Sequence, residues 1–242
     1  MTKTFKALSA LLTYPTAELA RAVGEISEAI DAERVIPARI RNRLHDLLLE
    51  LATGDLYDLQ ERYVLLFDRT RSLSLHLFEH VHGESRDRGQ ALIDLKSLYE
   101  RNGLEIGTSE LPDFVPLFLE FLSTRPRVEA CELLAQPAHI LSAFAERLRK
   151  RRSAYEAVFR ALVALASMQP KGEEISALLE APDPDATDLA ALDAAWEDEP
   201  VKFGPGAGDG CKDSLIARIR AGRRPAPGVA VASPTRPVLP RP

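Results

Sequence analysis

The chain has 242 residues, of which 45% are apolar and 28% charged, and its formal net charge is −5. Its two cysteines, Cys131 and Cys211, exclude a disulfide framework and a cysteine-based zinc or iron–sulfur site. The segment from Lys212 onward has seven basic residues and one acid, so it carries +6 and the residues before it carry −11. This acidic body argues against broad binding to nucleic-acid phosphates, which needs a basic surface.

Helical periodicity predicts four helices in the first 67 residues. Their landmarks are a break at Pro15, N-caps at Thr16 and Asp55, a start at Pro37 and an end at Gly54. The last of the four reads LYDLQERYVLLF. Apolar side chains recur along each of them at the spacing of one helix face.

Further helices are predicted downstream. One carries Leu92, Leu95 and Leu98 and ends at Asn102-Gly103, a common C-terminal stop. Pro112-Asp113 is expected to open the next, and two more cover residues 140–148 and 155–166. Because the pattern contains no convincing alternating strand, the fold class is all-α, a single helical bundle.

Composition predicts three regions. Residues 1–168 form the helical domain, and residues 169–203 form an acidic linker with weak helical turns at 173–179 and 189–194. Residues 204–242 form a Pro-, Gly- and Arg-rich tail that is expected to be disordered in part. No apolar run reaches the length of a membrane span and no signal-peptide cleavage site is evident, so a cytoplasmic location is expected.

A dense polar block interrupts the helical pattern. Unpaired charges are costly to bury, which favours a recognition surface here over core packing. The block consists of His80, His82, Glu84, Arg86, Asp87 and Arg88.

The histidines leave a second interpretation open. His76 and His80 lie four residues apart and would share a helix face, with His82 close by, so a metal-dependent enzyme or metal sensor is an alternative function. The competing interpretation is that these imidazoles cap helices or pair with carboxylates, since no thiolate cluster and no H-E-x-x-H motif accompanies them.

Aromatic stripes such as Tyr63 with Phe67, and Phe118 with Phe121, are by default core. Alternatively, part of this aromatic surface lines a groove that receives an amphipathic helix from a partner. Nearby acids, Asp68 and Glu79 among them, would then meet basic residues of that helix. Trp196 either packs on the bundle or anchors another protein.

Three segments resemble a known family. Residues 63–67, YVLLF, resemble the Y-x-x-L-F motif of the TorD/DmsD-like molybdoenzyme chaperone superfamily. Residues 77–89, with FEHVHGESRDRG at their centre, and residues 110–122, ELPDFVPLFLEFL, are similar to the NarJ-type branch, the assembly chaperones (delta subunits) of respiratory nitrate reductase. The Trp196 segment is similar to that branch's C-terminal element.

This resemblance implies an all-α bundle without catalytic activity. It implies binding to the N-terminal helix of the apo catalytic (alpha) subunit of respiratory nitrate reductase, which is held open for insertion of molybdenum bis(guanine dinucleotide) before membrane docking. The chaperone itself would bind no cofactor stably, no metal, no nucleic acid and no bilayer directly. Members of this family often have the motif P-D-H, whereas this chain has Phe114 at the position of the histidine. Phe114 is therefore interpreted as a packing residue.

The sequence hypothesis is therefore a module that binds a basic, amphipathic peptide helix in a groove. Apolar burial would provide most of the affinity, and acids would set orientation and partner choice. The expected peptide-binding residues are Tyr63, Phe67, His80, His82, Glu84, Arg86, Asp87 and Asp113.

Overall fold

A computed structural model describes residues 3–82, 86–107, 110–181 and 183, with the backbone alone described at His82 and Arg86. The predicted all-α class is confirmed: within these ranges the helices are joined by turns, and strand-like pairing is limited to one isolated bridge between His76 and Phe114. The helices are α1 (Lys3–Leu11), α2 (Ala17–Glu33), α3 (Ala38–Thr53), α4 (Leu56–Tyr63), α5 (Glu79–His82), α6 (Arg86–Arg101), α7 (Val115–Thr124), α8 (Arg127–Leu134), α9 (Ala138–Lys150), α10 (Glu156–Leu165) and α11 (Gly172–Leu179).

Capping side chains begin the helices where the sequence predicts. The hydroxyl of Thr16 accepts a hydrogen bond from the Leu19 N–H at 3.2 Å and starts α2. The carboxylate of Asp55 accepts one from the Tyr57 N–H at 2.9 Å and starts α4. Pro37 stands directly before α3. The side-chain oxygens of Thr16 and Asp55 satisfy backbone N–H groups that have no partner within the first turn of a helix.

One helix start differs from the prediction, and one helix was not predicted. Pro112-Asp113 does not open α7, which begins at Val115, because the Asp113 carboxylate accepts a hydrogen bond from the distant Phe78 N–H instead of capping locally. The short helix α8 was not predicted, since its eight residues carry only a weak apolar stripe. The predicted helical turn at 189–194 lies outside the described residues.

The core lies between α1, α7, α2 and α3 on one side and α9 and α10 on the other. Burial of each aromatic ring contributes roughly 1.5–3 kcal/mol before the cost of ordering it. Phe118 and Phe121 are core residues, as their stripe predicts. Among the described residues, the rings that are essentially fully buried are those of Phe5, Tyr99, Phe118, Phe121, Phe144, Tyr155 and Phe159.

The helix α4 continues directly into a π-helical turn, Val64–Asp68, in which the Arg69 N–H reaches the Val64 carbonyl at 2.9 Å. A 3-10 turn, Arg71–Leu73, follows. The π-turn widens the helix by one residue per turn, a feature that is frequent at functional sites. It includes Phe67, whose ring lies 5.0 Å from that of Tyr63.

The helix α11 packs on α9, beyond the predicted end of the helical domain. The buried guanidinium of Arg147 donates hydrogen bonds to the carbonyls of Ser72 at 2.7 Å and Leu178 at 2.6 Å. Arg151 pairs with Asp183 at 2.6 Å. Three parts of the chain lie outside the described residues: the linker after Asp183, the Trp196 segment and the tail that is predicted to be disordered. The division into three regions therefore stays a prediction.

Candidate functional site

A cavity of about 410 Å³ opens between the end of α1, the π-turn and the loops that flank α5 and α7. Its size is typical of a site that receives side chains or a small ligand, and its lining combines aromatic and aliphatic side chains with polar ones. The lining residues are Thr13, Tyr14, Tyr63, Phe67, Asp68, Leu75, His76, Glu110 and Phe114.

Tyrosine and phenylalanine rings form one wall of this cavity. The ring of Tyr14 meets that of Tyr63 edge-on at 5.7 Å, and Tyr63 packs on Phe67 at 5.0 Å. The Tyr63 hydroxyl donates a hydrogen bond to the Leu12 carbonyl at 2.9 Å, which ties the π-turn to the end of α1. Burial raises the pKa of Tyr63 well above its usual range, so the phenol stays neutral at physiological pH.

This aromatic wall continues into the core. The ring of Phe67 meets that of Tyr155 at 5.2 Å and that of Phe159 at 6.3 Å. Both partners belong to or directly precede α10 and are buried. The wall is thus backed by packed rings, which restrict its movement.

Two chain segments that pair by their backbones form the opposite wall. The Val115 N–H donates to the Leu75 carbonyl at 2.8 Å, and the Leu77 N–H donates to the Asp113 carbonyl at 3.1 Å. This pairing places Leu75, His76 and Phe114 side by side in the cavity wall.

Asp113 holds these two segments together from behind the cavity. Its carboxylate is fully buried and accepts a hydrogen bond from the Phe78 N–H at 3.0 Å. Its other oxygen lies 3.4 Å from Nδ1 of His76. The hydrogen bond to Asp113 raises the pKa of His76 above its ordinary value. The His76 ring also stacks at a tilt on Phe114, with 5.4 Å between the centroids.

Two carboxylates, Asp68 and Glu110, complete the lining. Both are exposed to solvent at the mouth of the cavity. Partial burial, and then the negative charge of Glu110, raise the pKa of Asp68. The mouth of the cavity is therefore acidic, while its interior is aromatic and aliphatic.

The structure brings some of the sequence-predicted residues together and separates others. Tyr63 and Phe67 line the cavity, and Asp113 lies one layer behind its wall. His80 points inward: its Nε2 lies 2.8 Å from the Ser74 carbonyl, and its ring meets Phe144 edge-on at 4.8 Å. Asp87 is exposed on α6 and does not line the cavity. Glu84 and the side chains of His82 and Arg86 lie outside the described residues.

The metal hypothesis has no support in the described part of the chain, where no group of three or more His, Cys, Asp or Glu side chains is placed to hold an ion. His76 uses its Nδ1 on Asp113, and His80 uses its Nε2 on the Ser74 carbonyl. Burial lowers the pKa of His80, so this imidazole is a neutral donor to the carbonyl. Among the described residues, no helix combines the length and apolar character that crossing a membrane requires.

Besides Tyr63 and Phe67, the sequence pointed to Asp68 only as a nearby acid, to His76 only as a possible metal ligand and to Phe114 only as packing. The remaining four lining residues had no predicted role: Thr13, Tyr14, Leu75 and Glu110. Tyr14 carries the one local signal, an aromatic residue next to Pro15 in a turn, and its side chain is 45% exposed. The others could not be found from spacing, because they join the site through contacts between distant segments. The Thr13 hydroxyl donates to the Ala10 carbonyl at 2.7 Å, so it is already engaged.

The lining as a whole offers aromatic faces, aliphatic carbon and two carboxylates. Such a set binds apolar groups and cations, and the His76–Asp113 pair acts within the wall.

Comparisons with known proteins indicate the family of the chain. A family model for the nitrate reductase delta subunit matches residues 16–161. The chain is 44% identical over 209 residues to the nitrate reductase molybdenum cofactor assembly chaperone NarJ of Escherichia coli K12, covering 86% of this chain and 87% of that protein. It is also 44% identical over 160 residues to NarW of Escherichia coli K12, a probable nitrate reductase molybdenum cofactor assembly chaperone. That match covers 66% of this chain and 69% of NarW. To the probable NarJ of Bacillus subtilis 168 it is 31% identical over 161 residues, covering 66% of this chain and 86% of that protein.

Proposed function

The chain belongs to the nitrate reductase delta subunit family, and on this premise we propose that it is a system-specific chaperone that holds an unfinished nitrate reductase ready for its molybdenum cofactor. It is not an enzyme. Its client is the apo catalytic (alpha) subunit, and the molybdenum bis(guanine dinucleotide) enters the client, not the chaperone. We place this step in the cytoplasm, before the client docks at the membrane.

The contact is made by the client's N-terminal helix at the cavity. The observation that carries this proposal is a cavity of about 410 Å³ with an aromatic wall and an acidic mouth. An amphipathic helix inserts apolar side chains spaced three and four residues apart into such a groove. Their burial provides roughly 25 cal/mol per Å² before the cost of ordering the peptide, and the charges at the mouth set its orientation.

The predicted site residues divide into two roles in this proposal. Tyr63 and Phe67 contact the client helix directly, since their rings line the cavity. Asp113 and His80 act indirectly, because they hold the wall segment that contains Leu75.

Asp87 and three neighbours in sequence remain proposed contacts of the client. They follow the wall segment along the chain. The three are His82, Glu84 and Arg86.

A peptide titration with a matched pair of tyrosine variants tests the proposed site. Tyr14→Ala removes a ring that lines the cavity, whereas Tyr57→Ala removes a ring that is 80% exposed on α4 and does not line it. We expect Tyr14→Ala to weaken binding of a synthetic peptide of the client's N-terminal segment about tenfold, the loss typical of an aromatic contact in an interface. Calorimetry measures the affinities.

The control Tyr57→Ala should bind the peptide as the parent protein does. Equal affinities for both variants would place the client elsewhere on the surface. Co-purification from cells that make nitrate reductase tests the function itself: recovery of the chain without the catalytic subunit would refute it.

A further inference from the structure

Resting on the proposed function, we infer that the mouth of the cavity is a subsite for one basic side chain of the client. The carboxylates of Asp68 and Glu110 would bind its charge, and the aromatic wall would bind its stem. The cavity would thus prefer an amphipathic helix that carries a basic side chain at one particular position. A purely apolar groove would not distinguish such a helix from one without that basic side chain.

The two carboxylates lack a partner of their own in the described part of the chain. Neither Asp68 nor Glu110 forms a hydrogen bond or an ion pair with another described residue. Burial, and then the negative charge of Glu110, raise the pKa of Asp68. A cation placed between them would replace this repulsion by two attractions.

Among the described residues, two basic side chains in or next to the cavity lining have carboxylate partners elsewhere. His76 lines the cavity and its charge partly offsets the raised pKa of Asp68, but its Nδ1 lies beside the buried carboxylate of Asp113, behind the wall. Arg62, which precedes Tyr63, is paired with Glu50 at 3.0 Å. In the described part of the chain no ion pair reaches Asp68 or Glu110, and we assign the missing cation to the ligand.

The aromatic wall adds a second feature that suits a cation. Tyr14 is 45% exposed, and its ring meets the ring of Tyr63 edge-on beside the mouth. Aromatic faces attract cations, and they pack well against a long aliphatic stem. A planar guanidinium can stack on such a ring while it donates hydrogen bonds to carboxylates, so an arginine should bind better here than a lysine.

A double-substitution experiment tests the subsite. The probes are the synthetic peptide of the client's N-terminal segment and analogues in which one arginine at a time becomes citrulline and one lysine at a time becomes acetyl-lysine, which removes the charge. Each is titrated against the parent protein and against the double variant Asp68→Asn, Glu110→Gln. The matched control is Asp58→Asn, Glu105→Gln, which neutralises two exposed acids outside the cavity.

We expect one analogue to bind the parent protein about five- to tenfold more weakly than the unmodified peptide, the effect of a charged hydrogen bond at a partly exposed site. That difference should disappear in the cavity variant and persist in the control. The loss should shrink at high salt.

The outcomes separate this inference from the function on which it rests. The first case is that the unmodified peptide binds the parent protein, but neutralising a basic residue weakens binding equally for the parent protein and for the cavity variant. This result refutes the subsite and leaves the chaperone proposal standing. If the unmodified peptide does not bind the parent protein, the proposed binding site fails and the subsite fails with it.

Discussion

At the scale of single residues, the histidines near the cavity have opposite environments. His76 lies beside the buried carboxylate of Asp113, whose hydrogen bond raises its pKa. His80 is enclosed near Phe144, and burial lowers its pKa. Burial lowers the pKa of His139 on α9 as well. Two imidazoles four residues apart in the sequence therefore have pKa values shifted in opposite directions.

An NMR titration checks this contrast. We expect His76 to titrate above, and His80 and His139 below, the ordinary histidine pKa of about 6.5. Asp113→Asn removes the negative charge but keeps an oxygen that can accept the Phe78 N–H. In that variant the pKa of His76 should fall toward its ordinary value, and an unchanged value would mean that Asp113 does not cause the shift.

The same pKa directions set the pH dependence of stability. The contribution of His76 is fully present below about pH 6.5 and is lost as the pH rises through its raised folded-state pKa. His80 and His139 act oppositely: the unfolded chain binds their protons first, so stability falls as the pH drops below about 6.5.

At the scale of elements, one buried arginine joins three parts of the chain. Arg147 on α9 donates to the carbonyl of Ser72 in the 3-10 turn and to that of Leu178 at the end of α11. The 3-10 turn lies between the π-turn, which contains Phe67, and the wall residue Leu75. Arg147 thereby ties α11 and the approach to the cavity wall to the same helix.

Replacing this arginine tests that role. Arg147→Ala leaves the Ser72 and Leu178 carbonyls without their donor in a buried position, which should cost about 2–3 kcal/mol of unfolding free energy. Urea denaturation measures the loss, and amide exchange should rise in α11. The control is Lys150→Ala on the same helix, where the side chain is exposed and a change within about 0.5 kcal/mol is expected. Equal losses in both variants would contradict the anchoring role.

At the scale of the whole molecule, the cavity lining and the C-terminal region are separate along the chain. Every lining residue lies between Thr13 and Phe114, whereas Asp183 is the most C-terminal described residue and contacts Ser72 and Arg151. The 59 residues from Pro184 onward contain eight acids and eight bases, so their net charge is zero.

Deleting residues 184–242 should therefore leave peptide affinity within about twofold of the full chain, because neither the cavity lining nor the net charge of −5 changes. Calorimetry with the client peptide measures the affinity, and circular dichroism checks that the helices remain. A large loss of affinity in a folded variant would assign part of the binding site to the C-terminal region, where Trp196 is the first residue to substitute.

Many helix starts and core residues could be predicted from the sequence, because they depend on neighbouring residues in the chain. Thr16 and Asp55 begin helices because their side chains cap the nearest backbone N–H groups, and Phe118 and Phe121 are core because their spacing places them on one helix face. The motifs around Tyr63 and residues 77–89 were sufficient to identify the family, which the comparisons confirm.

Tertiary packing decided the rest. Asp113 looks like a helix cap in the sequence, yet it is buried on the Phe78 N–H, and His80 points toward Ser74 and Phe144. A polar side chain takes its partner from whatever segment packs against it, and that segment can lie far away in the chain. The sequence by itself therefore determined most of the helices and the protein family, because both depend on local patterns of residues. Only the three-dimensional contacts placed Tyr14 and Glu110 in one cavity, because these residues are far apart in the chain.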